Sequence, residues 1–381
     1  MEHKKPHSTS RRDFLYNLGL AGLSIPVLSA TGEYNRDENK SKPMSKKNAN
    51  GKLGVALVGL GNYATGQLAP ALEQTENCYL AGIVTGTPSK AATWKEKYNI
   101  PEKNIYNYDN YDSIKDNPDI DIIYVVLPNN MHAEYTVRAA KAGKHVICEK
   151  PMALTTEDCD RMIAACKKAG KMLSIGYRLH FDPYNLEMVR LAKEKVYGNL
   201  KSIDAAFSFT AQKGIWRLDK KYSGGGPMMD IGIYCMQAVC YISGMEPVAI
   251  TAQTFLVSDK EKFIDIEETL TFQMEMPNGL KTTCRTSYSE NANYVRAEAA
   301  NGWFELKPAF NYSGLRMNTS DGKKMDLSPF SQQAKQLDGI AQSIMNNKKS
   351  IVPGEMGSRD MKFIAAIYEA MNTGKRVMIN N

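Results

Sequence analysis

The sequence predicts an α/β protein in which a first domain of alternating strands and helices, on a parallel sheet, precedes an α+β domain with a large open, mostly antiparallel sheet. Three observations carry this. Short apolar runs at residues 53–58, 80–84, 120–127 and 145–148 are separated by helical segments, the spacing of a βαβ series whose strands are buried on both faces. The first run leads straight into a glycine-rich turn, Gly59-Leu60-Gly61-Asn62-Tyr63-Ala64. Beyond residue 176 the runs change to apolar–polar alternation, with hairpin signals at Pro277-Asn278-Gly279 and Asn301-Gly302.

A length of 381 residues exceeds what one hydrophobic core usually serves. With 43% hydrophobic and 23% charged residues, the composition is that of a globular protein. The net charge of +7 raises the question of a polyanionic partner, but its distribution answers it. Residues 1–30 carry four basic and two acidic side chains and residues 31–52 carry six and three, which leaves a surplus of two for residues 53–381. A nucleic-acid surface needs clustered cations, so no nucleic acid is expected.

From the N-terminus, Ser10-Arg11-Arg12-Asp13-Phe14-Leu15 opens a weakly charged run at residues 14–30. A paired arginine followed by Phe-Leu ahead of an apolar region has the form of a twin-arginine export signal. Residues 1–30 are therefore expected to direct the folded protein to the periplasm. The run is short of the about 20 apolar residues that span a bilayer. Cleavage near Ala30 would meet Leu28 where a small residue is preferred, which leaves an uncleaved membrane tether open. Residues 31–52, dense in Asn, Lys, Glu and Ser, read as a polar linker or arm. Seven cysteines with no CxxC pair suit neither a disulfide framework nor a metal site; most fall in apolar runs and read as core thiols.

Residues 53–175 are expected to form a Rossmann-type dinucleotide-binding domain. In the turn after the first strand, Gly59 permits the tight bend, Gly61 lets the backbone approach a pyrophosphate, and Ala64 allows close strand–helix packing, with Asn62 and Tyr63 beside the ligand. The end of the second strand, Val84-Thr85-Gly86-Thr87-Pro88-Ser89-Lys90, lacks the carboxylate that selects NAD at a ribose 2′-hydroxyl. Thr85 and Lys90 there favour a 2′-phosphate, hence NADP, with NAD as second choice. Pro128, Asn129 and His132 follow the third apolar run at the edge where ligands bind. A capping or packing role for His132 stays open beside the cofactor role.

Cys148-Glu149-Lys150-Pro151 ends the fourth run. Together with Gly176-Tyr177-Arg178 and the stretch from Gly224-Gly225-Gly226-Pro227 to Asp230 and Tyr234, it resembles the glucose–fructose oxidoreductase/inositol dehydrogenase/rhizopine catabolism (Gfo/Idh/MocA) family over residues 53–377. Asp230 and Tyr234, four apart, share one helix face, and a lysine ammonium beside a phenol favours the phenolate that takes up a proton. The resemblance implies Lys150, Asp230 and Tyr234 as the catalytic set: Tyr234 as acid/base, Lys150 holding the substrate oxygen, Asp230 orienting a sugar hydroxyl. Much of the family has His where this chain has Tyr234, and the branch with Tyr is the one that matches. Glu149 and Lys150 are placed at the cofactor, and Tyr177, Arg178 and Trp216 in the sugar pocket. A core position for Tyr234 or Trp216, and a structural ion-pair role for Arg178, are the alternatives.

Residues 176–381 are expected to bind substrate and to build the oligomer. Strands at 202–209, 248–257, 269–276, 281–288 and 295–306 would form the open sheet, and helices at 332–346 and 356–372 would end the chain. In the family this sheet is the oligomer interface, which implies a homodimer or homotetramer. Export of a protein with a dinucleotide site implies a cofactor held tightly through turnover. An aldose would be oxidised to its lactone and the retained NADPH would reduce a second carbonyl sugar. The alternatives are an ordinary NAD(P)-dependent sugar or inositol dehydrogenase, a redox-assisted glycosidase, and a non-enzymatic NADP-binding regulator.

Overall fold

β1, Leu53–Val58, is buried along its whole length, as a central strand covered on both faces must be. A Cβ added to Gly54 in this strand would stand 1.8 Å from the Asp119 carbonyl oxygen. The computed structural model describes residues 51–325 and 327–379; the stretch expected to be an export signal and the expected polar arm up to residue 50 lie outside the described residues.

β2 (Cys78–Val84), β3 (Ile105–Tyr106), β4 (Ile122–Val125), β5 (His145–Cys148) and β6 (Leu173–Ile175) join β1 in a six-stranded sheet of order β3-β2-β1-β4-β5-β6. Its pairings are all parallel. The order reverses between β1 and β4, and loops at the carboxyl ends of the strands leave a crevice at such a point. The run at 120–127 is a strand only over Ile122–Val125, because the chain then leaves the sheet toward Pro128.

β7 (Leu200–Ser208), β8 (Ala249–Thr254), β9 (Thr269–Glu275), β10 (Lys281–Ser287), β11 (Ala292–Ala299), β12 (Gly302–Leu306), β13 (Met317–Thr319) and β14 (Val377–Met378) form an eight-stranded sheet in the order β13-β12-β11-β7-β10-β9-β8-β14. Every neighbour pair is antiparallel except β7 with β10. The expected run at 295–306 is two strands, turned at Ala300 and Asn301. Leu270, Phe272 and Met274 of β9 point inward and Gln273 and Glu275 outward. The inner face packs on the helix Ile233–Ser243, which carries no charged residue. On the outer face Arg296 lies 3.9 Å over the Trp303 ring and pairs with Glu298 and Glu305.

The closing helices, Gln332–Met345 and Gly354–Thr373, return to the first sheet. Asp338 accepts the amides of Glu76 and Asn77, and the Ile175 amide donates to the Val352 carbonyl. The segment after residue 176 therefore also buttresses the parallel sheet.

Two helices begin with a π-helical turn: Ala64–Leu68 before Ala69–Leu72, and Met228–Gly232 before Ile233–Ser243. Widened turns of this kind gather at functional sites. All seven cysteines are free and buried. No helix among the described residues is long and apolar enough to cross a membrane.

Candidate active site

The glycine turn after β1 and the loop after β4 border one cleft of about 1780 Å³. Pockets for a single small ligand run to roughly 300–1,000 Å³, so the cleft has room for a dinucleotide and a second molecule. At Gly59 the backbone adopts φ +94, and a Cβ there would stand 2.5 Å from the Val126 carbonyl oxygen; only glycine makes this turn. At Gly61 a Cβ would meet nothing within 4 Å, so the backbone faces open space where a pyrophosphate must approach. Ala64 is fully buried, which is the close packing expected of it. Asn62, Tyr63, Thr85 and Lys90 line the same cleft. The Thr85 hydroxyl accepts the Thr87 amide at 3.2 Å, and the Lys90 ammonium donates to the Leu60 carbonyl at 3.1 Å. This cradle of glycine backbone, hydroxyls and one cation fits a nicotinamide dinucleotide.

Pro128 and Asn129 also stand on the wall, and Asn129 donates to the Ser223 carbonyl at 2.8 Å. His132 is a correction to the cofactor set. It is 1% exposed and off the wall, with its ring nitrogens 2.9 Å from the Pro151 carbonyl and 2.8 Å from the Leu127 carbonyl. Burial holds its pKa below the ordinary histidine value. It ties together the two loops that carry Asn129 and Lys150, the packing role left open for it. Glu149 lines the cleft, accepts the Tyr124 hydroxyl at 2.5 Å, and has its pKa raised by burial.

Lys150, Asp230 and Tyr234 meet on one wall. The Lys150 ammonium lies 2.6 Å from the Asp230 carbonyl oxygen and 3.2 Å from its carboxylate, and 4.9 Å from the centre of the Tyr234 ring. Burial works against its charge, but Tyr234 and Asp230 outweigh it and raise its pKa. Lys150 is therefore a cation and not a base. Burial likewise works to raise Asp230, yet Arg217 and Lys150 hold the carboxyl well below the usual range. Arg217 approaches Asp230 at 3.1 Å and the Tyr288 hydroxyl donates to it at 3.0 Å. Phe207 and Phe310 pack against the Tyr234 ring at 5.7 and 6.0 Å.

Arg178 lines the cleft as expected of a pocket residue, and the alternative ion pair is absent among the described residues: backbone carbonyls and Gln332 hold it. Trp216 stands on the wall with Arg217 stacked 4.6 Å over its ring. Tyr177 is the second correction. It is 3% exposed, off the wall, with its ring 6.0 Å from His180, because one residue before Arg178 the chain still faces the core. Arg217, Tyr288 and Tyr312 were not foreseen as site residues. Arg217 adjoins the Trp216 that was, and only its meeting with Asp230 gives it a role.

The family model described as the oxidoreductase family with an NAD-binding Rossmann fold matches residues 53–177, and the Gfo/Idh/MocA C-terminal domain model matches residues 186–306. The chain belongs to the Gfo/Idh/MocA family. It is an oxidoreductase with an NAD-binding Rossmann domain. Among solved structures, an aldose-aldose oxidoreductase from Caulobacter crescentus, complexed with glycerol, is 41% identical, with a TM-score of 0.83 over 86% of this chain and 100% of that one. Among curated relatives of the Gfo/Idh/MocA chain, a D-xylose 1-dehydrogenase [NADP(+)] of Haloarcula marismortui is 27% identical over 85% of this chain and 92% of its own length. A D-glucoside 3-dehydrogenase of Escherichia coli is 25% identical over 85% and 97%.

Proposed function

We propose that the protein oxidises an aldose to its lactone with NADP and passes the hydride, on cofactor that it keeps, to a second carbonyl sugar. The observation that carries this is the single cleft in which the dinucleotide cradle runs on to Lys150, Asp230 and Tyr234. A nicotinamide bound there supplies a reversible hydride acceptor. Lys150, fixed as a cation, holds the reacting sugar oxygen. Tyr234 removes the proton from that oxygen as the C–H bond breaks, and returns it to the carbonyl oxygen of the second sugar. Asp230, kept ionised, anchors Lys150 and accepts a neighbouring sugar hydroxyl.

The likeness to an aldose-aldose oxidoreductase and to an NADP-dependent xylose dehydrogenase supports the sugar class and the cofactor. The absence of a carboxylate between Val84 and Lys90 supports NADP. In this reading the enzyme works in the periplasm and assembles through the outer face of the large sheet. The test is to denature purified protein and measure released nucleotide, then assay pairs of sugars with no nucleotide added. Bound NADP and turnover on two sugars are expected. Protein free of nucleotide, active on one sugar only when NADP is supplied, makes it an ordinary dehydrogenase; release of p-nitrophenol from aryl glycosides makes it a glycosidase.

A further inference from the structure

Arg178 comes three residues after the end of β6, so it is rooted beside the parallel sheet, yet its guanidinium serves the other half of the molecule. It is 2% exposed. One terminal nitrogen donates to the Phe310 carbonyl at 2.6 Å; the other donates to the Asn311 carbonyl at 3.2 Å and to the Gln332 side chain. Burying a guanidinium with no carboxylate partner is costly, and here backbone dipoles of one loop offset that cost. The same loop is pinned from β11, where Asn293 accepts the amides of Ala309 and Phe310, each at 2.8 Å. Tyr312, two residues beyond Phe310, is thereby placed over the cleft. The Arg178 guanidinium lies 4.7 Å from its ring centre, and its ring stands 5.7 Å from that of Tyr63. Tyr63 belongs to the glycine turn that cradles the dinucleotide. A loop of the second sheet thus reaches across the cleft to touch the first.

We propose that Arg178 and Tyr312 form a latch over the dinucleotide, in which the Tyr312–Tyr63 contact closes the exit and Arg178 fixes the loop that makes it. The latch deepens the retained-cofactor reading and rests on it. Its chemistry is that of an aromatic bar: Tyr312 is 45% exposed, so the contact can open without unpacking a core, while the loop behind it stays fixed by buried hydrogen bonds. Arg178 is in this view a positioning residue that acts through Tyr312.

The test measures NADPH release directly. Protein loaded with NADPH is mixed with a large excess of NADP+, and the loss of bound-NADPH fluorescence is followed. In Tyr312→Ala, a change at an exposed side chain, release is expected to speed up by about two- to tenfold, the loss of roughly one aromatic contact. Tyr312→Phe, which keeps the ring, is expected to stay near the wild-type rate. Arg178→Gln should speed release like Tyr312→Ala, and adding Tyr312→Ala to it should change little further. A Tyr312→Ala protein that releases NADPH at the wild-type rate overturns the latch while leaving the retained cofactor standing. Wild-type protein that holds no nucleotide after purification and exchanges NADPH as fast as the variants overturns both.

Discussion

Tyr234 is approached by two cations: Lys150 stands 4.9 Å and Arg178 5.2 Å from its ring centre. If it is the group that takes the sugar proton, Tyr234→Phe should slow the first half-reaction by about 10²–10⁴-fold. Dinucleotide content should not change, since the glycine turn and Lys90 are untouched. Single-turnover formation of NADPH after mixing with an aldose measures the first quantity, and nucleotide released on denaturation the second. A rate within about threefold of wild type removes Tyr234 from the role. At this scale the sequence showed side chains that belong to local motifs, Gly59, Gly61, Lys150, Asp230 and Tyr234. It could not show Tyr288 on Asp230 or Tyr312 beside Tyr63, because those contacts join segments far apart in the chain. Tyr177 and His132 mislead for the opposite reason: they stand one and three residues from the wall residues Arg178 and Asn129, but their side chains turn inward.

The element that places Asp230 and Tyr234 is the helix starting at Met228, and its start is held by a buried carboxylate. Glu267 accepts the Gly226 amide at 2.9 Å, the Met228 amide at 3.0 Å and the Tyr368 hydroxyl at 3.0 Å. A Cβ at Gly226 would stand 2.3 Å from the Glu267 carbonyl oxygen, so glycine is what admits this approach. Glu267→Ala leaves two helix-start amides and a phenol without their acceptor, and should cost about 1–3 kcal/mol in denaturant unfolding. Activity should fall along with it, since the helix end carries the site. Stability equal to wild type argues that water replaces the carboxylate without loss. Elements of this kind were read from sequence where their period was strong. β1 and β5 stand at the expected residues, as does the start of the helix Gln332–Met345. β3 and β13, two and three residues long, are too short to show a period. The π-helical turns at Ala64 and Met228 left no sign, since a 3.6-residue pattern hardly registers one widened turn.

For the whole molecule, protonation links the fold to pH. Burial pushes His145 and His180 down to about 4, against about 6.5 in an unfolded chain. Between those values the unfolded state binds more protons, so stability is full above about pH 6.5 and falls as pH drops toward 4. Denaturant midpoints recorded from pH 7 to 4.5 should decline, and less steeply in His180→Gln; an equal slope in that variant clears His180 of the effect. The outer face of the eight-stranded sheet carries a charged cluster of Arg296, Trp303, Glu298 and Glu305. The change from a parallel to a mostly antiparallel sheet was legible from the change of period near residue 176. The return of the last two helices to the first sheet was not, because amphipathic helices do not reveal which sheet they cover.

The proposed periplasmic location would give the seven thiols a bearing on how the protein lasts. Since each is buried and unpaired, the folded molecule presents nothing for an oxidase or an alkylating dye to attack. A chain that unfolds there exposes all of them at once, and disorderly cross-links would then block its return. Thiol labelling is accordingly a clock for global opening: reagent uptake should follow the unfolding rate, with no fast fraction before it. Endurance in the oxidising medium proposed for the protein would in that sense be kinetic, set by how seldom the core opens.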